Sequence, residues 1–127
     1  MEAAAPERVL VVDDAESVCL AITMMLQKLS LEVVAARTYV EALTLLKRGK
    51  FAAALIDVYL GPHSGLDLAE EVAMTHPETR ILMMSGSVLL EDEVKARPKL
   101  AQASVLHKPF TRNELVECIR KAVNKAA

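Results

Sequence analysis

The chain has 127 residues, 53 % of them hydrophobic, and a formal net charge of −2. This length suits one domain, whose folding buries roughly two-thirds of the surface of the unfolded chain. Aromatic residues make up 3 % with no tryptophan, which argues against stacking platforms for bases or flavins. Acidic and basic residues are interspersed, so the sequence shows no electrostatic footprint for nucleic acid.

Alternating strand and helix periods predict repeated βα units and hence a parallel sheet with helices on both faces. Apolar runs predict five strands, at residues 8–12, 31–36, 51–56, 80–84 and 103–107. The helical pattern predicts five helices: one from the end of the first strand to about Leu29, then 38–48, 65–74, a short one within 88–96, and one opening at 111. The sequence therefore predicts an α/β fold.

Local signals set several helix ends. Gly49 is a plausible residue to end the second helix, and Pro77 forces a break after the third. Thr111 and Glu114 form a capping box that opens the last helix. Pro98 cannot lie inside a helix, so the fourth helix is expected to be short and followed by irregular chain.

Polar residues stand where four apolar strands run out. Asp13 and Asp14 follow the first strand, Asp57 ends the third, Ser85 ends the fourth, and Lys108 follows the fifth. The carboxyl ends of strands in an open parallel sheet border one crevice, so these side chains are expected to converge.

The converging groups have a common chemistry. Three crowded carboxylates repel one another unless a cation compensates them, and oxygen ligands suit Mg²⁺. A hydroxyl and an ammonium are then left to hold the oxygens of an anion. This set of side chains is suited to phosphorylation of an aspartate.

Each of these residues also has an ordinary explanation when it is taken alone. Asp13 and Asp14 suit the positive end of a helix dipole. Asp57, Ser85 and Lys108 could be a turn residue, a cap and a solvated cation. Chance would have to place the right polar group after four separate apolar runs, so the joint pattern favours a site.

The remaining reactive side chains have structural interpretations. Cys19 and Cys118 fall among apolar neighbours in predicted helices and are expected to be free thiols. Four of the six methionines, Met24, Met25, Met83 and Met84, are predicted to fill the core. The three histidines are expected to be solvated rather than metal ligands, because the sequence has no ligand pairs at zinc spacing.

The chain resembles the receiver domain of two-component response regulators, of the chemotaxis-regulator type, from about Arg8 to Asn124 (core about 8–124). Besides the site residues, it keeps that family's eight-residue spacing from Asp57 to Gly65. The resemblance implies a single receiver domain over residues 1–127. It also implies a flavodoxin-like, doubly wound, five-stranded parallel sheet in the order 2-1-3-4-5, flanked by five helices.

The resemblance implies a role for each site residue. Asp57 would be the phosphoacceptor, and Ser85 and Lys108 would bind the phosphoryl group. Mg²⁺ or Mn²⁺ would be held by four residues: Asp13, Asp14, Asp57 and, through its backbone carbonyl, Tyr59. Pro109, Ser87 and Val105 would be supporting residues. Val105 departs from the family, in which many receivers carry a switching Tyr or Phe at this position.

The implied function is a signalling switch with slow autophosphatase activity at most. The phosphoryl donor would be a sensor histidine kinase or a histidine phosphotransfer protein, and the output surface would be the face of the fourth helix, fifth strand and fifth helix. A homodimer is left open. The segment before the first strand is short and acidic, unlike a signal peptide. No apolar run approaches about 18 residues, so a cytoplasmic protein without a membrane segment is expected.

Three alternatives are weighed against a stand-alone receiver. The chain could be a receiver module from a hybrid histidine kinase or a multidomain regulator. A magnesium-dependent aspartyl-phosphate phosphatase needs an acid two residues after its nucleophile, where this chain has Tyr59. A flavodoxin-like FMN carrier needs a phosphate loop after the first strand, where Asp13, Asp14 and Glu16 would repel phosphate.

Overall fold

The computed structural model describes residues 6–124 as a parallel sheet with helices on both faces. Its strands are β1 (Glu7–Val12), β2 (Leu31–Ala36), β3 (Ala53–Asp57), β4 (Tyr59–Leu60), β5 (His63–Ser64), β6 (Arg80–Ser85) and β7 (Ser104–His107). Its helices are α1 (Glu16–Met25), α2 (Tyr39–Arg48), α3 (Gly65–Thr75), α4 (Leu90–Lys95) and α5 (Arg112–Asn124), with a 3₁₀ turn at Pro98–Leu100.

The main sheet has the order β2-β1-β3-β6-β7, and all of its neighbours are parallel. Because β4 and β5 form a separate two-stranded hairpin, this is the predicted order 2-1-3-4-5 of the five sheet strands. The register pairs Val12 with Ile56, and Asp57 with Met84. The carboxyl ends of β1, β3 and β6 are thereby brought side by side.

Each central strand is buried on both faces. Along β1, Val9 and Val11 face a cluster with α1 and α5, whereas Leu10 and Val12 face a cluster with α2, α3 and α4. All four are at most 1 % exposed. This two-sided burial explains why the strands are nearly continuous apolar runs, as is usual for parallel sheets.

Side-chain caps begin three of the helices. The Thr38 hydroxyl accepts a hydrogen bond from the Glu41 amide at 3.0 Å, and the Ser64 hydroxyl accepts one from the Leu66 amide at 3.1 Å. Thr111 and Glu114 exchange reciprocal bonds of 2.9 and 3.1 Å, which confirms the predicted capping box. These caps satisfy amides that have no partner inside the helix.

Two sequence-based expectations about local structure were wrong, those on the end of α1 and on Met24. Helix α1 ends at Met25 and continues as turns, in which the Leu29 amide donates to the Leu26 carbonyl, although Leu29 still packs on the core. Met24 is 70 % exposed and does not fill the core. Gly49 ends α2 as predicted, in an extended conformation rather than the left-handed one common after helices.

The fourth helix is short, as predicted, and covers only part of the stretch 88–96. Val88 and Leu89 form a turn before α4, and Pro98 begins the 3₁₀ turn after it. The β4–β5 hairpin was not predicted at all. Its turn contains Gly61 at a φ of 61°, a left-handed conformation that suits glycine.

Among residues 6–124, no helix has the length and apolar character needed to cross a membrane.

Candidate functional site

Three carboxylates meet at the carboxyl end of the sheet. Asp13 and Asp14 follow β1, and Asp57 is the last residue of the neighbouring strand β3. One ligand oxygen from each lies within 4.8 Å of the other two. Asp13 is 1 % exposed and Asp57 7 %, whereas Asp14 is open to solvent.

Lys108 places a cation between two of these carboxylates. Its Nζ donates to Asp13 Oδ2 at 2.7 Å and to Asp57 Oδ2 at 2.9 Å. The Lys108 amide donates to the Ser85 carbonyl, and the peptide bond from Lys108 to Pro109 is cis. Burial alone would lower the pKa of Lys108, but the hydrogen bonds to the two carboxylates outweigh it and raise that pKa.

The two oxygens of Asp57 have different partners. Oδ1 accepts a hydrogen bond from the Tyr59 amide at 3.2 Å, and Oδ2 accepts the bond from Lys108. Burial raises the pKa of Asp57, opposed by these hydrogen bonds and reinforced by the charge of Asp13. The ionised carboxylate is therefore held at a cost to folding.

The donor set fits a divalent cation. Asp13, Asp14 and Asp57 carry three negative charges when ionised, and Lys108 compensates only one of them. Clustered carboxylate oxygens are the ligands that Mg²⁺ prefers. The acidic triad therefore has the ligand oxygens and the uncompensated charge that suit Mg²⁺.

Ser85 begins a chain of hydrogen bonds that leads towards α4. It lies buried at the end of β6, next to β3 in the sheet. Its hydroxyl accepts from the Ser87 amide at 3.0 Å, and the Ser87 hydroxyl accepts from the Leu89 amide at 3.1 Å. Leu89 immediately precedes α4, so two short links join the site to that helix.

Gly65 lies against the backbone of Asp57. Its amide donates to the Val58 carbonyl at 2.6 Å. A Cβ atom at position 65 would lie 1.7 Å from the Asp57 carbonyl oxygen. The eight-residue spacing seen in the sequence thus brings the loop back onto the strand that carries Asp57, and the contact requires glycine.

The structure brings together five of the predicted site residues, Asp13, Asp14, Asp57, Ser85 and Lys108, at the carboxyl end of the sheet. The predicted metal ligand Tyr59 and two supporting residues adjoin them: the Tyr59 amide contacts Asp57 while its side chain is 59 % exposed, Ser87 contacts Ser85, and Pro109 follows Lys108. Val105 lies apart from them, half-buried on β7, where it packs on the core and lines a groove beside α4.

One contact at the site was missed from the sequence. The Arg37 guanidinium, directly after β2, donates from Nε and Nη2 to the Asp14 carbonyl at 3.3 and 3.1 Å. An arginine between a strand and a helix carries no signal of such a contact. Only the adjacency of β1 and β2 brings it there.

The histidines do not join the acidic cluster. His76 Nε2 contacts the Leu46 carbonyl at 3.2 Å, so this side chain is partly buried and bonded rather than simply solvated. His107 lies 3.0 Å from Glu91 on α4. Both cysteines are free, as predicted.

The fold and the site agree with comparisons to known proteins. The family model of the response regulator receiver domain matches residues 9–120. The response regulator protein PilR of Pseudomonas aeruginosa is 30 % identical over 117 residues, which are 92 % of this chain and 26 % of that protein. The DNA-binding transcriptional regulator NtrC of Azospirillum brasilense is 34 % identical over 119 residues, which are 91 % of this chain and 24 % of that protein. The chain spans about a quarter of the length of these two relatives.

Solved structures give the same result. A CheY-like receiver domain protein from Methanospirillum hungatei JF-1 has a TM-score of 0.86 at 27 % identity, covering 95 % of this chain and 96 % of that one. Vibrio cholerae CheY4 has a TM-score of 0.81 at 28 % identity, covering 93 % and 99 %. The chain therefore belongs to the response regulator receiver domain family, and it is a phosphoacceptor of two-component signalling that works as a switch rather than as a true enzyme.

Proposed function

We propose that Asp57 is the residue phosphorylated in this receiver. The observation that carries the proposal is the position of Lys108, whose ammonium lies 2.9 Å from Asp57 Oδ2 inside an acidic cluster. An ammonium there can bind the carboxylate before transfer and an oxygen of the phosphoryl group after it. Asp14 is open to solvent, and within residues 6–124 no cation forms an ion pair with its carboxylate.

The transfer needs positioning more than covalent chemistry, because bond-making in a loose phosphoryl transition state is slight. A carboxylate oxygen of Asp57 attacks the phosphorus of a phosphohistidine, and the N–P bond breaks as the imidazole leaves with its electron pair. The acyl phosphate keeps the phosphoryl oxygens near Lys108 and Ser85. The Ser85 hydroxyl accepts from the Ser87 amide, so its proton is free to be donated to one of those oxygens.

Mg²⁺ or Mn²⁺ would be held by the carboxylates of Asp13, Asp14 and Asp57 and by the Tyr59 carbonyl. The bound cation would neutralise charge on the phosphoryl oxygens. The protein's own part is to keep these oxygens clustered at the end of the sheet.

The donor is proposed to be a sensor histidine kinase or a histidine phosphotransfer protein. An apolar groove of about 400 Å³ lies beside the site, between α1 and the segment after β7. Val18, Ala21, Met25 and Phe110 line it, and Lys108 lies at its edge. Transfer requires the donor to cover the surface around Asp57, so a groove that shares Lys108 with the site is suited to a docked helix.

The output is proposed to run through the face formed by α4, β7 and α5. A groove of about 590 Å³ lies between α4 and β7 and is lined by Val94, Leu100 and Val105. A downstream protein or a second copy of the chain could dock on this face. We place the receiver in the cytoplasm as a single domain over residues 1–127 with a core at about 8–124, either alone or as a module of a hybrid kinase or multidomain regulator.

Intact-mass measurement tests the phosphoacceptor. After incubation with Mg²⁺ and acetyl phosphate, the protein should gain the mass of one phosphoryl group. Asp57→Asn or excess EDTA should abolish the gain. Asp67→Asn is a matched control, because it makes the same chemical change at an exposed acid on α3 that pairs with Arg97. A full phosphoryl gain in Asp57→Asn would exclude Asp57 as the acceptor.

A further inference from the structure

The three acidic side chains are not equally fixed. Asp13 accepts hydrogen bonds from Lys108 Nζ and from the Ala15 amide, the latter at 2.9 Å. Asp57 accepts from Lys108 and Tyr59. Within the described part of the chain, no side-chain or backbone donor bonds to the carboxylate of Asp14. The position of this exposed ligand therefore depends on the backbone that carries it.

Arg37 holds that backbone. Two nitrogens of its guanidinium donate to the single carbonyl oxygen of Asp14, at 3.1 and 3.3 Å. Arg37 is itself fixed, because its amide donates to Glu41 Oε1 at 3.0 Å in the first turn of α2. One residue earlier, the Asp13 amide donates to the Ala36 carbonyl at 3.1 Å. The loop leaving β1 is thus tied at two successive residues to the end of β2.

We propose that Arg37 is a positioning residue for the divalent cation site, which acts by fixing the backbone of Asp14. The inference rests on the proposed function, since it takes Asp14 as a ligand. Partners outside the ligand shell generally orient the ligands, and their removal weakens metal binding. Arg37 ties the backbone of Asp14, the one residue of the three whose carboxylate accepts no hydrogen bond within residues 6–124.

The charge of Arg37 acts in the opposite direction, because a cation near the site repels another cation. Glu16 lies 3.6 Å from Arg37 and offsets that charge. The Arg37 side chain is also 54 % exposed, and salt screens exposed charges over about 8 Å at physiological ionic strength. Positioning should therefore outweigh repulsion. Removal of Arg37 should weaken Mg²⁺ binding if positioning dominates and tighten it if repulsion dominates.

Calorimetric titration of the whole protein with Mg²⁺ in 0.15 M salt tests the proposal. Arg37→Ala should weaken Mg²⁺ binding about 10-fold, the low end of the range for outer partners, because the side chain is half exposed. Arg37→Lys should recover part of the loss, since one ammonium can still donate to the carbonyl. In the metal-free protein, hydrogen exchange at the Ala15 amide should be faster in Arg37→Ala, which a pure charge effect would not produce.

Arg8→Ala is the matched control. Arg8 pairs with Glu32 at 3.1 Å and joins the opposite end of the same two strands, so its loss makes the same charge change away from the loop. The Mg²⁺ affinity of this variant should stay close to that of the parent. Urea unfolding of both variants checks that loss of affinity is not loss of fold.

Asp14→Asn separates the two levels of the proposal. If Asp14→Asn weakens Mg²⁺ binding while Arg37→Ala leaves it unchanged or tightens it, the inference about Arg37 is overturned and the proposed site stands. If Asp14→Asn has no effect on Mg²⁺ binding, Asp14 is not a ligand, and the assignment of the cation site fails together with the inference.

Discussion

Lys108 and Asp57 are joined across an intervening strand. Asp57 ends β3, Lys108 follows β7, and β6 lies between them, yet the ammonium reaches Asp57 Oδ2 at 2.9 Å. The same ammonium bonds Asp13, so two buried carboxylates share one cation. Asp57 keeps a raised pKa despite this contact, because it is buried in an acidic cluster.

The raised pKa predicts that Asp57→Asn stabilises the metal-free protein at pH 7. Burial disfavours the ionised form of Asp57, so folding loses stability as the pH rises through the pKa of the folded state. Asparagine has nearly the same size as aspartate but carries no charge, so the variant does not lose this stability. Below the ordinary aspartate pKa of about 3.9, Asp57 is protonated in both states and the difference should vanish. Urea unfolding across this pH range is the measurement, and a less stable variant at pH 7 would contradict the stated cost.

Gly65→Ala should be strongly destabilising. The new Cβ would lie 1.7 Å from the Asp57 carbonyl oxygen, a backbone atom that cannot move without shifting β3. We expect a loss of about 3 kcal/mol in the free energy of unfolding, at the upper end for overpacking. Gly86→Ala is the control, because a Cβ there would lie 4.0 Å from the Lys108 carbonyl oxygen, an ordinary contact distance. Similar losses in the two variants would show that the clash at Gly65 relaxes.

Tyr59→Ala should accelerate loss of the acyl phosphate. Tyr59 is two residues past Asp57, its amide donates to that carboxylate, and its side chain is 59 % exposed. We expect the ring to shield the acyl phosphate from water. Removing the ring should ease access of water and speed hydrolysis about threefold, equivalent to ~0.7 kcal/mol in the barrier. Tyr59→Phe keeps the ring and should retain the parent rate. The decay of phosphorylated protein followed by intact mass measures both, and an equal or slower rate in Tyr59→Ala argues against shielding.

Coupling to α4 should depend on Ser85 rather than Val105. Valine is stiff at χ1 and too short to exchange a buried for an exposed position as a ring does. The hydrogen bonds from Ser85 through Ser87 to Leu89 offer a direct route instead. Ser85→Ala should therefore shrink the beryllofluoride-induced NMR shifts of residues 88–96, while Val105→Ala preserves them. The reverse pattern would assign the coupling to Val105.

Much of the fold was predictable because the strands are apolar runs with polar residues at their ends. Asp13, Asp57 and Lys108 could be placed together, since carboxyl ends of parallel strands share one edge. Helix ends were less predictable where apolar residues continue past the helix, as at Leu29 and Val88. Their side chains can pack or lie exposed on turns, so the apolar pattern does not fix the backbone.

Contacts between distant exposed residues could not be predicted. Arg37 and Asp14 are 23 positions apart, and their hydrogen bonds join a side chain to a backbone carbonyl. Any residue has that carbonyl, so the sequence around Asp14 contains no sign of its partner. The exposure of Met24 could not be predicted either. Met24 and Met25 are identical neighbours, so residue type does not tell which of them packs on the core, and they lie on different faces of α1.

The bond between Lys108 and Asp13 spans 95 positions of the chain. A fragment that lacks either end cannot assemble the site, and a state in which β7 has separated from the sheet loses Lys108 together with the strand. Cation binding is therefore linked to folding of the whole domain: an ion that binds only the native state stabilises it by RT ln(1 + [L]/Kd), about 2.7 kcal/mol at a hundredfold excess over Kd. In the cell, the concentration of free divalent cation would then set how often this receiver unfolds and how readily proteases degrade it.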